Sequence, residues 1–245
     1  MNDFYLTDNV RICGDIMEYR PECGSHFRAV ESHNWHKVLH DYGWRKLPRP
    51  ISMKLNRLGE GRVSNSQNGV LDCEPDGNCF FQCIATALND RDMYLSRFYD
   101  SSDIRIELSE NITEEQYDII IGYYRIMKDS DDFLEGWDPY SVNSLSEFKG
   151  KIAEPGHEYW GDYILLQYLI DILKVNIFIL NCDSIAKNYE KYNTLNDYNS
   201  EYGSIFLLYE DNSHFKLMGH FAKKMRCYFV NDDIPAEFKA LHGLN

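Results

Sequence analysis

Asp76-Gly77-Asn78-Cys79-Phe80-Phe81-Gln82-Cys83-Ile84-Ala85-Thr86-Ala87-Leu88 divides into a turn and a helix. Phe80, Cys83, Ile84, Ala87 and Leu88 recur at i, i+3, i+4, i+7 and i+8, the stripe of a core helix. Gly77 and Asn78 cannot begin that stripe and read as a turn whose backbone tolerates positive φ. Cys79 therefore falls where turn meets helix. There its sulfur faces unpaired amides and the positive end of the helix dipole, a setting that favours thiolate over thiol. The backbone amides of Gly77, Asn78 and Cys79 are placed to hold an oxyanion on a carbonyl that the thiolate attacks. A lone cysteine at a helix start is more often a small packing residue. The chemical reading therefore needs a base elsewhere in the chain.

Around this stretch, 245 residues suffice for one sizeable core and are short for two full domains. With 44% hydrophobic and 26% charged residues the class is soluble globular, and no apolar run reaches the roughly 18 residues that span a bilayer. Met1-Asn2-Asp3-Phe4-Tyr5 lacks a basic segment followed by an apolar one, so no secretory signal is expected. Seven scattered cysteines, an odd number, read as reduced thiols of a cytoplasmic protein. A net charge of −14 excludes nucleic acid as a general partner and suits a basic one. Cys13, Cys23, His26, His33, His36 and His40 contain spacings that zinc ligands use, but no CxxC pair or finger pattern; no metal is expected.

Taken in order, residues 1–69 read as an N-terminal extension. Trp35, Val38, Leu39 and Tyr42 have helical spacing with Gly43 as a stop, and a basic strip follows over 45–62. Ser64 to Gly69 reads as loop. After the cysteine helix, Ile104, Leu108 and Ile112 mark one helix, and Thr113-Glu114-Glu115-Gln116 is a capping-box start for the next. A short helix over Leu145–Ile152 ends at Pro155-Gly156, and Asp162 is an N-cap for Tyr163–Leu173. Val175–Leu180 reads as a buried strand, Asn181–Gly203 as an inserted loop, and Ser204–Tyr209 as the next strand. A turn over 210–213 then leads into a strand that begins at His214, and Met225–Val230 continues the strand pattern. Pro235 and Gly243 bracket a helix in a tail spanning 233–245.

A thiol nucleophile needs an imidazole within hydrogen-bond reach, and the imidazole needs orienting. Of the eight histidines, His214 stands at a strand start just after a tight turn, where its ring can project over a neighbouring helix.

The string Asp76-Gly77-Asn78-Cys79-Phe80-Phe81 resembles the nucleophile motif of the ovarian-tumour (OTU) family of cysteine proteases. The Trp160-Gly161-Asp162 succession and Asn212-Ser213-His214-Phe215-Lys216-Leu217 resemble its later motifs, the last looking most like the OTU proteases of large DNA viruses. The resemblance implies a papain-like α/β (α+β) fold over 70–232, with a small central sheet flanked by helices. It implies a monomeric, cofactor-free deubiquitinase acting on ubiquitin or polyubiquitin, with ubiquitin-like modifiers as a second substrate class. Cys79 would be the nucleophile and His214 the base. Many members place Asp or Asn two residues after the histidine, where this chain has Lys216, which cannot accept a hydrogen bond from imidazole. Asp76 is the favoured substitute, with Asn212 and Asn181 as alternatives. Two rival readings stand beside this one: an inactive OTU fold that binds ubiquitin, and a papain-like peptidase cutting ordinary peptide bonds.

Overall fold

In a computed structural model, the described residues are 3–21, 24, 26–58, 67–95, 97–133, 136–157, 159–183, 188–192, 197–211 and 213–244. Phe4–Thr7 (β1), Val10–Cys13 (β2), Ile16–Tyr19 (β3) and Arg28–Ala29 (β4) form an antiparallel sheet in that order, one that the sequence pattern did not reveal. Trp35–Val38 (α1) follows, and a 3-10 turn over His40–Tyr42 closes at Gly43 in the left-handed region. The single helix expected there is thus broken. Next come Trp44–Lys46 (β5), Arg49–Leu58 (α2), Asn68–Asp72 (β6) and the cysteine helix Cys79–Arg91 (α3). The basic strip is divided between β5 and α2; Arg62 lies outside the described residues.

Ser101–Asn111 (α4) and Glu114–Asp129 (α5) both start with reciprocal capping boxes, from Asp100 and Thr113. Leu145–Ala153 (α6) is capped by Ser144, and Tyr163–Leu173 (α7) by Asp162. Val175–Asp183 (β7), Asn188–Tyr192 (β8), Gly203–Glu210 (β9), His214–Phe221 (β10), Met225–Arg226 (β11) and Ala236–His242 (α8) complete the chain. The main sheet runs β5-β6-β10-β9-β7-β8, with β11 on the free part of β10; β7 and β9 are parallel and the other pairs antiparallel.

Three differences from the sequence reading have a common cause: tertiary pairing organises residues with weak local preference. Asn68 and Gly69, read as loop, begin β6. The segment read as an insertion supplies the end of β7 and all of β8. Met225–Val230 pairs only through β11 and a single bridge from Phe229 to Ser204.

Both faces of the main sheet are covered, so β9 is buried over Gly203–Leu208 instead of alternating. Ile205, Leu207, Phe215 and Leu217 join the core with α3, while Phe206, Leu208 and Met218 face α2 and α8. Described residues of the N-terminal extension are built into these cores. Val10, Ile12, Met17, Trp35 and Trp44 pack with the α3 residues; Leu47, Ile51 and Leu55 pack with Phe238 and Leu241. Gly69 and Gly219 face each other across β6 and β10. A Cβ on Gly69 would meet Trp35 at 2.6 Å, and one on Gly219 would meet Trp44 at 2.6 Å, so the glycine pair seats the extension's two indoles. Among the described residues, no helix is long and apolar enough to cross a membrane.

Candidate active site

Cys79 is the first residue of α3 and is 8% exposed. The turn before it is held from three sides. Gly77 has φ +82°, and a Cβ there would lie 2.4 Å from the Gly156 carbonyl oxygen, so the position accepts only glycine. Asp76 accepts from the Asn78 amide at 2.9 Å and from Asn78 Nδ2 at 3.1 Å. Beneath lies Arg105, fully buried on α4. Its guanidinium donates to Asn78 Oδ1 and to the carbonyls of Gly77, Ile152, Gly156 and Tyr159, and lies over the Phe81 ring at 4.1 Å.

Sequence reasoning missed Arg105. The available signal was an arginine beside Ile104, on the face that Leu108 and Ile112 also bury. Gly161 has a packing role: a Cβ there would strike the Phe80 ring at 2.1 Å, so the glycine admits that side chain beside the cysteine, while Trp160 is exposed.

β10 brings the histidine to this turn. The amide of Phe215, the residue after His214, donates to Cys79 Sγ at 3.5 Å. Burial pushes the Cys79 thiol above its ordinary range, and the Phe215 and Phe80 amides pull it back only in part. Burial thus works against the thiolate that the helix start favours. Cys83, one turn on, is fully buried 3.6 Å from the Cys73 sulfur, and burial pushes its thiol well up.

The carboxylate facing His214 is Asp72, at the end of β6, whose Oδ1 is 3.3 Å from Nε2. That contact engages Nε2. Lys216 stands opposite Asp72 in the β6–β10 register. Its Nζ lies 3.3 Å from Asp72 Oδ1 and 2.8 Å from Glu210 Oε2. The lysine at the family's usual acceptor position thus holds an acceptor supplied by the next strand.

This differs from the assignment favoured on sequence. Asp76 spends its oxygens on Asn78, and its carboxyl is held below the usual range: burial opposes ionisation, but the hydrogen bonds from Asn78 outweigh it. The same bond occupies the Asn78 amide, one of the three expected oxyanion donors. Asn181 lies within β7, opposite Tyr209 and Glu190, and Asn212 lies outside the described residues. Asp72 was passed over because it precedes the motif by four residues, and only strand pairing brings it to the histidine.

Solved structures similar to this chain include the OTU domain of OTUD1 (18% identity, 69% of this chain and 91% of that one, TM-score 0.42). Others are the Hazara virus OTU bound to ubiquitin (17%, 64% and 83%, TM-score 0.38) and an OTU deubiquitinase from Wolbachia pipientis wMel bound to ubiquitin (12%, 62% and 95%, TM-score 0.41). No curated protein matched by sequence. The family model of the OTU-like cysteine proteases matches residues 74–221, more than half of the chain, and spans both the Cys79 turn and the His214 strand. The chain belongs to the OTU-like cysteine protease family.

Proposed function

We propose that this protein is a deubiquitinase that hydrolyses the isopeptide or peptide bond after the C-terminal glycine of ubiquitin. The observation that carries the reading is the Phe215 amide on Cys79 Sγ, which sets the histidine strand directly against the nucleophile turn. Cys79 thiolate attacks the glycine carbonyl, and the amides of Gly77 and Cys79 hold the oxyanion. His214 protonates the departing lysine amine, giving a thioester and a free amine. Water deprotonated by His214 then attacks the thioester, releasing the ubiquitin carboxylate and restoring the thiol. Asp72 is the positioning residue for the imidazole, supported by its contact with Nε2 and by Lys216.

The setting proposed with this activity is the cytoplasm, or a host's cytoplasm if the likeness of the histidine motif to OTU proteases of large DNA viruses marks the source. A fluorogenic ubiquitin C-terminal substrate, run beside a short fluorogenic peptide, tests the reading. Turnover of the ubiquitin substrate alone is the expected result. Turnover of both favours a general papain-like peptidase, and binding of ubiquitin without turnover favours an inactive ubiquitin-binding fold.

A further inference from the structure

Between the small N-terminal sheet and α3 lies a cavity of about 400 Å³. One wall takes Phe4, Leu6, Ile12 and Met17 from a single face of that sheet, joined by Leu39 and Trp44. The opposite wall is α3, where Gln82, Thr86, Asn89 and Asp90 share one face and Met93 follows in the next turn. We propose that this cavity binds a fatty acid, with the alkyl tail along α3 and the carboxylate on Arg97. The proposal is independent of the deubiquitinase reading.

Shape favours a chain. Gln82 to Asp90 covers about 12 Å of helix, so the space beside it is long and narrow. Its mouth lies beyond the C-terminal end of α3, where Leu95 and Phe98 are 65% and 78% exposed, and its walls run in to Ile12, Leu39 and Trp44, all buried. Met17, Met93 and Met225 line it too, and their thioethers adapt to a flexible occupant.

The polar groups of the walls are paired within the protein. Thr86 Oγ1 donates to the Gln82 carbonyl and accepts from Gln82 Nε2. Asn89 exchanges two hydrogen bonds with the Tyr99 backbone, and the Tyr42 hydroxyl meets Thr7. Asp90 accepts from the amides of Cys227 and Tyr228 and has Lys224 Nζ at 3.8 Å. The interior therefore suits an alkyl tail, which needs no hydrogen bonds.

Arg97 is the exception. It is exposed at the mouth, with its guanidinium 4.4 Å from the Tyr99 ring centre, and makes no hydrogen bond or ion pair among the described residues. The nearby Asp92 is already held through both oxygens by Arg91. A ligand with one anionic end thus meets an available cation at the entrance and an apolar channel behind it. The net charge of −14 opposes docking on an anionic bilayer, which favours a free fatty acid over a membrane lipid.

The test uses the full chain and an environment-sensitive fluorescent fatty acid, displaced by dodecanoate or by neutral dodecanol. In the wild-type protein dodecanoate is expected to displace the probe at about ten-fold lower concentration, the scale of one hydrogen bond to a charged group. Arg97→Glu is expected to erase that advantage and leave dodecanol unchanged. Thr86→Phe, which places a ring midway along the channel, is expected to abolish binding of both, with its folding checked by circular dichroism. The Arg97 comparison decides the question if the Thr86 variant does not fold. Equal potency of the two lipids, an advantage that survives Arg97→Glu, or undiminished binding to a folded Thr86→Phe protein overturns the inference. Absence of probe binding overturns it as well, and so does displacement by a phenylalanine-containing peptide but by neither lipid, which gives the cavity to a protein segment.

Discussion

Arg105→Met is the substitution that most directly tests how the nucleophile turn is held. The guanidinium reaches the carbonyls of Tyr159 at 2.9 Å and of Ile152 and Gly77 at 3.1 Å, all in buried surroundings. Methionine fills most of the stem's volume, so the cavity contribution is small. What changes is that three carbonyls lose their donor, at about 1–3 kcal/mol each. Relief of the guanidinium's own desolvation offsets part of this, so the lower end of that range is appropriate, about 3 kcal/mol in all. For a chain of this size the melting temperature should fall by roughly 6–12 °C. Turnover should fall further than the folded fraction explains, because Gly77 and Asn78 lose a common anchor. Arg105→Lys should be intermediate, since a single ammonium cannot span the whole acceptor set. Thermal denaturation followed by circular dichroism, beside kcat/KM on fluorogenic ubiquitin, reads both effects. A Met variant melting within about 2 °C of wild type would refute the reasoning.

Asp72→Ala should lower kcat by roughly 10 to 10³-fold with KM little changed, and Asp72→Asn should recover part of the loss; Asp76→Ala should do distinctly less. The reverse order would make Asp76 the positioning residue. In His214→Ala, the pH at which Cys79 reaches half its maximal rate of iodoacetamide alkylation should rise, because burial pushes the thiol up and the imidazolium no longer offsets it; an unmoved midpoint would credit the helix amides alone. Desolvation raises the Asp162 carboxyl to about 6, against the pull of the Ile164 and Leu165 amides it caps. A folded-state value above the unfolded value of about 4 means stability is greatest below pH 4 and is lost as pH rises through about 6. Asp162→Asn should flatten that decline in urea denaturation across pH 4–7, and an unchanged slope would assign it to other groups.

The elements legible in the sequence were those whose signals are local. The α3 stripe, the Thr113 capping box, the Asp162 cap and the strand run from Val175 all needed only near neighbours to be read. The positions of Cys79 and His214 were legible for the same reason, each at the junction of a turn with a regular element. What escaped depends on pairing at long range. Gly69 looks like loop until Trp35 occupies the space its missing side chain leaves, and Asp72 looks like an unremarkable strand end until β10 lies alongside. Arg105 shows a further limit. Periodicity assigns a face to burial but does not distinguish an arginine that is buried among carbonyls from one that leans into solvent.

The register of β6 against β10 also dictates when the candidate site comes into being. Asn68 and His220 are 152 residues apart in sequence, and the Phe215 amide meets the Cys79 sulfur across 136. The helices from α3 to α7 lie between them and can organise through nearer contacts, whereas closing so long a loop is slow and comes late. During synthesis the Cys79 helix emerges first, without the His214 strand, and the exposed edge of β6 waits for its partner. On the proposed deubiquitinase reading, competence arrives only when β10 docks, so a nascent chain carries the thiol long before it can use it.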